Sequence, residues 1–328
     1  MKQLLNGAAI LYALMLAALH LTNLTYRAEL PSVALLTTFS LFLFLPLLGL
    51  NLLLIWIKPR KVQPTLLLSL GLFLWAHPVV PLMPQNLINP IDASFSAMTF
   101  NLGWRVSTAA DLSAAIADQQ PDILALQELS LQEAAQFRQD LSTLYPYQIL
   151  DPNVGSVGLL SQFPINRYTW INPPSGRRIL HAEIALEDQL LQLFVIHFST
   201  PSFERDRSQR LPYGLTEEHL NRESDFLLDV ISNIEGSVLI LGDFNMSDQS
   251  RAYSKITARY NDAFNAVGWG AGFTFPNDIQ VGPVPIFAPI VRIDYAFYSD
   301  TLAAVSSDVR CISNLSDHCA LYNEFIFM

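Results

Sequence analysis

Positive charge is scarce in this sequence, and lysine above all. Five of the 19 basic residues and one of the 29 acidic residues precede residue 86, which leaves 14 basic and 28 acidic residues after it, a net charge of −14. Lys255 is the only lysine in that later part. A nucleic-acid backbone is normally neutralised by several Lys and Arg contacts. The composition therefore disfavours a protein that covers nucleic acid with a broad basic surface, although a small catalytic crevice could still act on it.

Charge of either sign is almost missing from the first 85 residues. Three uncharged apolar stretches lie there, at about 4–24, 30–57 and 65–83. Because about 20 apolar residues suffice to cross a bilayer, we predict a membrane anchor over 1–84 with three transmembrane helices. The stretch 85–94 (QNLINPIDAS) is expected to be a polar linker, and 95–328 is long enough for one sizeable folded domain.

The distribution of Lys and Arg around the spans predicts their orientation. A cleaved signal peptide is the alternative for the first stretch, but Lys2 is its only charge and no small-x-small cleavage site follows cleanly. Basic loops stay in the cytoplasm, so the cluster at 58–61 is expected inside and the loop 26–29 outside. With three spans the acidic domain faces the periplasm or the exterior. With two it faces the cytoplasm.

Cysteine is nearly absent, with Cys311 and Cys319 the only two in the chain. Outside the cytoplasm they could form a disulfide, and two adjacent antiparallel strands would bring them close. Two small buried apolar side chains are the alternative interpretation. The sequence leaves this choice open.

Internal repeats and low-complexity tracts are also lacking. Beyond the linker, apolar runs of strand length alternate with helical patterns, which predicts the α/β class with mixed sheets and helices outside them. The predicted strands are 95–102, 123–126, 157–160, 180–186, 190–197, 238–241, 291–298, 303–311 and 319–327. The predicted helices are 108–119, 132–144 and 220–231.

Polar residues recur where these apolar strands end. They are Asn101, Glu128, His197, Asp243, Asn245, Asp294, Asp317 and His318. The ends of strands in layered α/β sheets commonly form the crevice where ligands bind. In the stretch VLILGDFNMSD, Gly242 is a candidate for a turn that exposes the next residues. The pattern predicts one polar crevice.

Most of these residues have an ordinary explanation when taken singly. Asn101 and Asn245 are typical turn residues. Glu128 is compatible with a solvated strand end, and His197 with a hydrogen-bonded interior histidine. Asp294 is harder to explain in this way, because it lies inside an apolar strand and an unpaired buried carboxylate is costly. A histidine is its obvious partner.

Taken together, these carboxylates, histidines and asparagines are what metal-assisted phosphoester hydrolysis needs. Mg²⁺ prefers carboxylate and amide oxygens and keeps several of its waters. The ion neutralises phosphate charge and stabilises the leaving oxygen. A histidine held by a carboxylate can act as an acid or a base near neutral pH.

The ordered motifs MTFN, LALQE, IH, GDFN, RIDY and SDH resemble the endonuclease/exonuclease/phosphatase superfamily over about Ala97 to Ile326. Its members include pancreatic deoxyribonuclease, abasic-site endonucleases, neutral sphingomyelinases and inositol polyphosphate 5-phosphatases. The three apolar stretches are similar to those of membrane-attached bacterial members, which implies a multi-pass protein of the bacterial plasma membrane. One departure is Cys319-Ala320, where many members have a nearby proline.

The resemblance implies a four-layer α-β-β-α sandwich and a metal-dependent hydrolase. Glu128 would be the principal Mg²⁺ ligand, with Asn101 beside it and Asp317 completing the site, and Mn²⁺ could substitute. Asp243 and Asn245 would position the attacking water and a phosphate oxygen.

The two histidines receive roles from the same resemblance. His318, oriented by Asp294, would act as a base or as a phosphate contact. His197 would bind the scissile phosphate or assist the leaving group. Which histidine is the acid and which the base stays open.

The substrate is less well determined than the reaction. DNA and a membrane lipid or lipid-linked phosphodiester are the two candidates. Tethering favours lipid, and the apolar segment 281–290 could form a lip that touches it, or else a packed loop. A non-catalytic membrane-anchored binding protein is a third hypothesis, which the intact motifs disfavour. The predicted partners are the bilayer and the phosphoester substrate, and no protein partner is predicted.

Overall fold

The computed structural model describes residues 2–26, 30–57, 64–78, 95–103, 107–174, 176–204, 214–281, 284–286, 288–312 and 315–328. The chain divides into two compact units. One contains residues 1–79, 202–218 and 249–251, and the other contains 80–201, 219–248 and 252–328. We call them the helical unit and the sandwich unit. The predicted linker 85–94 lies outside the described residues.

The helical unit is built around one long helix. Ala9 and Ala13 lie on one face of α1, which packs against α4 and α5, and small residues at such an interface let helix backbones approach closely. A short hairpin packs against α2. The elements are α1 (Lys2–Tyr26), α2 (Pro31–Thr38), α3 (Ser40–Leu43), α4 (Leu45–Ile57), α5 (Pro64–Ala76), β8 (Ser202–Glu204) and β9 (Gly214–Thr216).

Two of the three predicted spans do not form one continuous helix over their predicted length. Gln3–Thr25 and Ser40–Ile57 are long and apolar enough to cross a membrane, by length and composition alone. The helix predicted over 30–57 is interrupted near Ser40, whose hydroxyl donates to Thr37 O at 2.7 Å, and again before Pro46, which has no N–H to donate.

The third predicted span forms a helix of only 13 residues. Pro78 explains its end at Ala76, because the residue before a proline avoids the helical conformation. The predicted segment 79–83 lies outside the described residues. So do residues 27–29 and the basic cluster 58–61, on which the predicted orientation depends.

The sandwich unit contains two six-stranded mixed sheets. The first has the order β15-β16-β1-β2-β4-β3, with β1 and β2 parallel. Its strands are β1 (Phe95–Asn101), β2 (Ile123–Gln127), β3 (Tyr147–Leu150), β4 (Val157–Ser161), β15 (Leu302–Arg310) and β16 (Ala320–Phe327). Within this sheet the sequence missed the short strand β3.

The second sheet has the order β11-β14-β10-β7-β6-β5, with β7 and β10 parallel. Its strands are β5 (Ile165–Ile171), β6 (Ile179–Leu186), β7 (Gln189–His197), β10 (Ser237–Asp243), β11 (Asn261–Asp262) and β14 (Asp294–Tyr298). The predicted strand 291–298 is thus shorter at its start, where Val291 makes only an isolated bridge to Phe275. A separate hairpin consists of β12 (Ile279–Val281) and β13 (Val284–Ile286).

The main core lies between the two sheets, because alternate residues of each strand point inward. Ala97 and Ala125 of the first sheet share this core with Leu193 and Leu241 of the second. On the outer face of the first sheet, Met98 and Leu126 pack against α6 and α7. This burial on both faces is typical of sheets that are covered by helices.

Helices cover the outer face of the second sheet as well. Tyr253 of α9 lies against the rings of Tyr295 and Phe297, at centroid distances of 5.5 and 6.0 Å. The predicted four-layer α-β-β-α sandwich is therefore confirmed. The helices are α6 (Ala109–Gln119), α7 (Leu131–Asp140), α8 (Glu218–Ile231), α9 (Arg251–Thr257) and α10 (Ala263–Val267).

Cys311 and Cys319 form a disulfide. The two residues flank the junction between β15 and β16, which are antiparallel neighbours. The choice that the sequence left open is thus resolved in favour of the bridge, which closes the loop that carries Asp317 and His318.

A buried ion pair at Arg292 gives a test of this fold. Its Nη1 lies 2.8 Å from Asp262 Oδ2, and both side chains are almost completely buried. We expect Arg292→Met to lower the free energy of unfolding by about 3–5 kcal/mol, because it leaves the Asp262 carboxylate buried without a cation. Thermal melting of the purified full-length protein in detergent measures the effect.

The matched control is Arg167→Met. Arg167 pairs with Glu183 at 2.7 Å, but its side chain is 74% exposed. Surface pairs contribute about 0–1 kcal/mol, so this variant should melt close to the wild type. Equal melting temperatures for the two variants would contradict a structural role for the buried pair.

Candidate active site

Strand register brings the predicted site residues together at one edge of the sandwich unit. In the second sheet, Asp243 pairs with His197 across the parallel strands and with Asp294 across the antiparallel ones. In the first sheet, Asn101 pairs with Gln127, the residue before Glu128. The strands themselves are apolar and buried, so their polar terminal residues come together at one end of the sandwich unit.

Asp243 lies at the centre of this arrangement. Asn101 Nδ2 donates to its Oδ2 at 2.8 Å, which joins the ends of β1 and β10 across the two sheets. Asn245 donates its backbone N–H to Asp243 Oδ1 at 2.8 Å and its side-chain amide to Oδ2 at 3.1 Å. Asn245 has a φ of 49°, a left-handed conformation that Asn tolerates better than most residues.

Glu128 is the most accessible carboxylate of the site, with 43% of its side chain exposed. It has a φ of 56°, which is unfavourable for a residue with a long side chain. Its Oε1 lies 3.7 Å from His197 Nε2. A strained, half-exposed carboxylate beside a buried histidine is suited to hold a hydrated cation.

His318 and Asp294 form the predicted pair, with His318 Nδ1 and Asp294 Oδ2 3.0 Å apart. Ser316 accepts the backbone N–H of His318 at 3.0 Å and donates to Asn101 O at 2.7 Å. Asp317 lies directly against Gly103, where a Cβ would come within 2.0 Å of its Oδ1. All eight predicted residues therefore lie in one connected cluster.

Arg177 belongs to the site, although the sequence indicated only that it is one of few basic residues. Its guanidinium contacts His197 Nε2 and donates to Phe198 O at 3.0 Å. It reaches the crevice from the loop between β5 and β6. Nothing in the sequence of that loop distinguishes it from a surface arginine, since the contact depends on the pairing of β6 with β7.

The environment drives the pKa values of the two histidines apart. Burial, the Arg177 guanidinium and His318 lower the pKa of His197 to about 2, so its imidazole is neutral. Burial also lowers the pKa of His318, but the Asp294 carboxylate and the nearby Asp243 outweigh it and raise the pKa well above its ordinary value. His318 therefore carries a proton near neutral pH.

Asp243 also has a perturbed pKa. Burial raises it first and the neighbouring Asp294 raises it further, while His318 and the hydrogen bonds from Asn245 and Asn101 oppose this. A carboxylate whose proton affinity is raised toward neutrality is typical of a group that exchanges protons during catalysis.

The donor set of the crevice fits a divalent cation. Asp294 Oδ1 is buried and has no hydrogen-bond partner, which is unusual for a carboxylate oxygen. Ligand atoms of Asp243, Asp294 and His318 lie within 4.8 Å of one another. This triplet differs from the predicted ligands Glu128, Asn101 and Asp317, which remain a prediction.

The position of Gly242 differs from the turn suggested by the sequence. Gly242 is the second-last residue of β10, paired with Ile196 of β7. An added Cβ would lie 2.0 Å from Ile196 O. A glycine is thus required here because the neighbouring backbone comes so close.

Comparison with known proteins agrees with this architecture. The model of the Endonuclease/Exonuclease/phosphatase family matches residues 98–318. The chain belongs to this family. The match begins in β1 and ends at His318, so it contains every predicted site residue.

Solved structures of the same fold cover 71% of this chain. The endonuclease/exonuclease/phosphatase from Bacteroides vulgatus is 18% identical, with a TM-score of 0.54 and 99% of its own chain covered. Truncated Caenorhabditis elegans TDP2 is 21% identical, with a TM-score of 0.51 and 98% covered. D. rerio TDP2 complexed with single strand DNA product is 18% identical, with a TM-score of 0.52 and 98% covered.

A comparison with curated proteins gave no match. Family membership nevertheless establishes the general activity, and the protein is a phosphoester-hydrolysing enzyme. The family is in general dependent on a divalent metal, which agrees with the cluster of carboxylate and histidine ligands.

Gly242→Ala tests the close approach of β7 and β10. The added methyl group collides with Ile196 O, so we expect the strands to separate and the register of Asp243 with His197 to be lost. The variant should lose phosphoesterase activity and melt at a lower temperature. Gly49→Ala is the control, because no atom lies within 4 Å of its added Cβ. Unchanged activity in Gly242→Ala would contradict the conclusion that the close approach of β7 and β10 requires a glycine at this position.

Proposed function

We propose that the protein is a Mg²⁺-dependent phosphodiesterase that is tethered to a membrane and hydrolyses a lipid or lipid-linked phosphodiester. The observation that supports this chemistry is the arrangement of the crevice, in which Asp243 connects the ends of strands from both sheets. Asp243 lies near two histidines, of which His197 is neutral and His318 is protonated. Mn²⁺ is a possible substitute for Mg²⁺.

We assign a role to each polar group of the crevice. Glu128, with Asn101 and Asp317, would hold the cation, which when bound neutralises phosphate charge and stabilises the leaving oxygen. Asp243 orients the attacking water and accepts its proton, since its pKa is raised by burial and by Asp294. Asn245, which donates its side-chain amide to Asp243, would bind a phosphate oxygen.

The two histidines then take different parts. His318 carries a proton that Asp294 stabilises, so it donates a hydrogen bond to the phosphate or a proton to the leaving oxygen. His197 is neutral, and with the Arg177 guanidinium beside it forms a cationic phosphate-binding edge.

The helical unit supports the choice of a membrane substrate. Its helices present large apolar side chains outward, among them Leu11 at 70% and Trp56 at 79% exposure. Exposed apolar surfaces of this kind are typical of contact with lipid. A tether of this kind keeps the enzyme at a bilayer, and the acidic sandwich unit is unsuited to neutralise a long nucleic-acid backbone.

The cellular location is part of the same proposal. We place the enzyme in the bacterial plasma membrane as a multi-pass protein with the sandwich unit outside the cytoplasm. The Cys311–Cys319 disulfide supports this orientation, because disulfides persist in oxidising compartments.

DNA is the second candidate substrate. It is supported by the structural similarity to D. rerio TDP2, which was solved with a single strand DNA product. A short single strand requires fewer basic contacts than a duplex, and Arg177 could supply one of them.

Substitutions at three positions test the mechanism. We expect Glu128→Ala, Asp243→Ala and His318→Ala each to lower turnover of an aryl phosphodiester by about 10²–10⁴, because each removes a cation ligand or a proton-transfer group. Removal of metal by a chelator should abolish turnover, and added Mg²⁺ should restore it. Asp308→Ala, at an exposed acid of β15, is the control. Full activity in the three variants, or in metal-free enzyme, would contradict the proposal.

Substrate preference is tested with the full-length protein in detergent and Mg²⁺. The panel contains phospholipid and sphingolipid vesicles, plasmid DNA and single-stranded DNA. We expect faster turnover of lipid, because the apolar helices bring the enzyme to the bilayer. Cleavage of DNA alone would exclude the lipid assignment and favour the second candidate.

A further inference from the structure

Helix α8 contacts the segment that follows His197. Ser199 donates its backbone N–H to Glu223 Oε2 at 3.1 Å and its hydroxyl to Oε1 at 2.8 Å. His219 Nε2 lies 3.3 Å from Ser199 O. His219 and Glu223 are four residues apart on one face of the helix, so together they bind both backbone polar groups of Ser199. Ser199 is two residues from His197, the proposed phosphate contact.

The same carboxylate lies against the loop that delivers Arg177. Gly176 has a φ of +93°, and an added Cβ would lie 1.9 Å from Glu223 Oε1. Arg177 follows directly and contacts both His197 and Phe198 O. Glu223 therefore lies against both chain segments that form the cationic edge of the crevice, namely the one that contains Arg177 and the one that follows His197.

Burial makes this position expensive for a carboxylate. Glu223 is 4% exposed, and burial raises its pKa, while Ser199, His219 and Arg177 oppose the rise. A buried acid persists only where its hydrogen bonds and nearby cations offset the cost of desolvation. An apolar residue at this position of α8 could not accept the two hydrogen bonds from Ser199.

We propose that Glu223 is a positioning residue that holds Arg177 and the segment His197–Ser199 in place, and thereby sets the affinity of the crevice for phosphate. The inference rests on the proposed phosphoesterase function. It predicts that Glu223 acts through Arg177 and His197 and that it affects phosphate binding more than the chemical step.

The test is calorimetric binding of inorganic phosphate to the full-length protein in detergent with Mg²⁺. We expect Glu223→Ala to weaken binding at least about tenfold, and Glu223→Gln to have a smaller effect, because the amide keeps one acceptor for Ser199. With the aryl phosphodiester, KM should rise more than kcat falls. Asp225→Ala is the matched control, since Asp225 is on the same helix, is exposed and pairs with Lys255.

A double-mutant cycle separates positioning from general stabilisation. If Glu223 acts through Arg177, adding Glu223→Ala to Arg177→Ala should weaken phosphate binding little further. Additive losses would overturn the proposal. If Glu223→Ala does not fold, the cycle is run with Glu223→Gln, and phosphate affinity equal to wild type in Glu223→Gln would also overturn it. If the wild type does not bind phosphate, the proposed function fails together with the role of Glu223. If the wild type binds phosphate but the losses are additive, only the role of Glu223 fails.

Discussion

The hydrogen bond between Asn101 and Asp243 joins the two sheets at the point where the chemistry is proposed to occur. It fixes the end of β1 against the end of β10, and the other polar contacts of the site surround it. Asp243 is in turn bonded to Asn245 and lies near Asp294 and His318, and Ser316 ties Asn101 to the His318 loop. A buried carboxylate so close to a second one is tolerated because amide donors and a protonated histidine surround it.

Several features of this arrangement are energetically unfavourable. Glu128 and Asn245 have left-handed backbone conformations, Asp294 Oδ1 has no hydrogen-bond partner, and the pKa of Asp243 is raised by burial and a like charge. Strained backbone and unsatisfied polar atoms persist where the surrounding structure over-determines them, and they concentrate at functional sites. Here the closely packed core between the sheets supplies that constraint. A bound cation would offer a partner to Asp294 Oδ1 and would lower the repulsion between Asp243 and Asp294.

The helical unit and the sandwich unit follow different rules of construction. The helices carry leucines on their outer faces and small residues where they meet, which suits a hydrocarbon surrounding. The sandwich unit is acidic, and its apolar residues are buried between the two sheets and between the sheets and the helices that cover them. The disulfide lies in the sandwich unit and closes the loop that carries His318, so an oxidising compartment would also stabilise the site.

Sequence alone determined the layered α/β fold and which residues cluster in the crevice. Apolar strands that end in Asn101, Glu128, His197 or Asp243 are local patterns, and the motifs that contain these residues occur in a recognisable order. It also indicated that Asp294 needed a histidine partner, which is His318. Only the tertiary structure decided what depends on distant segments. Arg177 reaches the site through the pairing of β6 with β7, Glu223 through the packing of α8, and the disulfide through the register of β15 with β16. The apolar stretch 30–57 breaks near Ser40 and again before Pro46, and the helix of the third stretch ends before Pro78. Gly242 is required by the approach of Ile196 and not by a turn, because the space around a residue is set by whichever strand packs beside it.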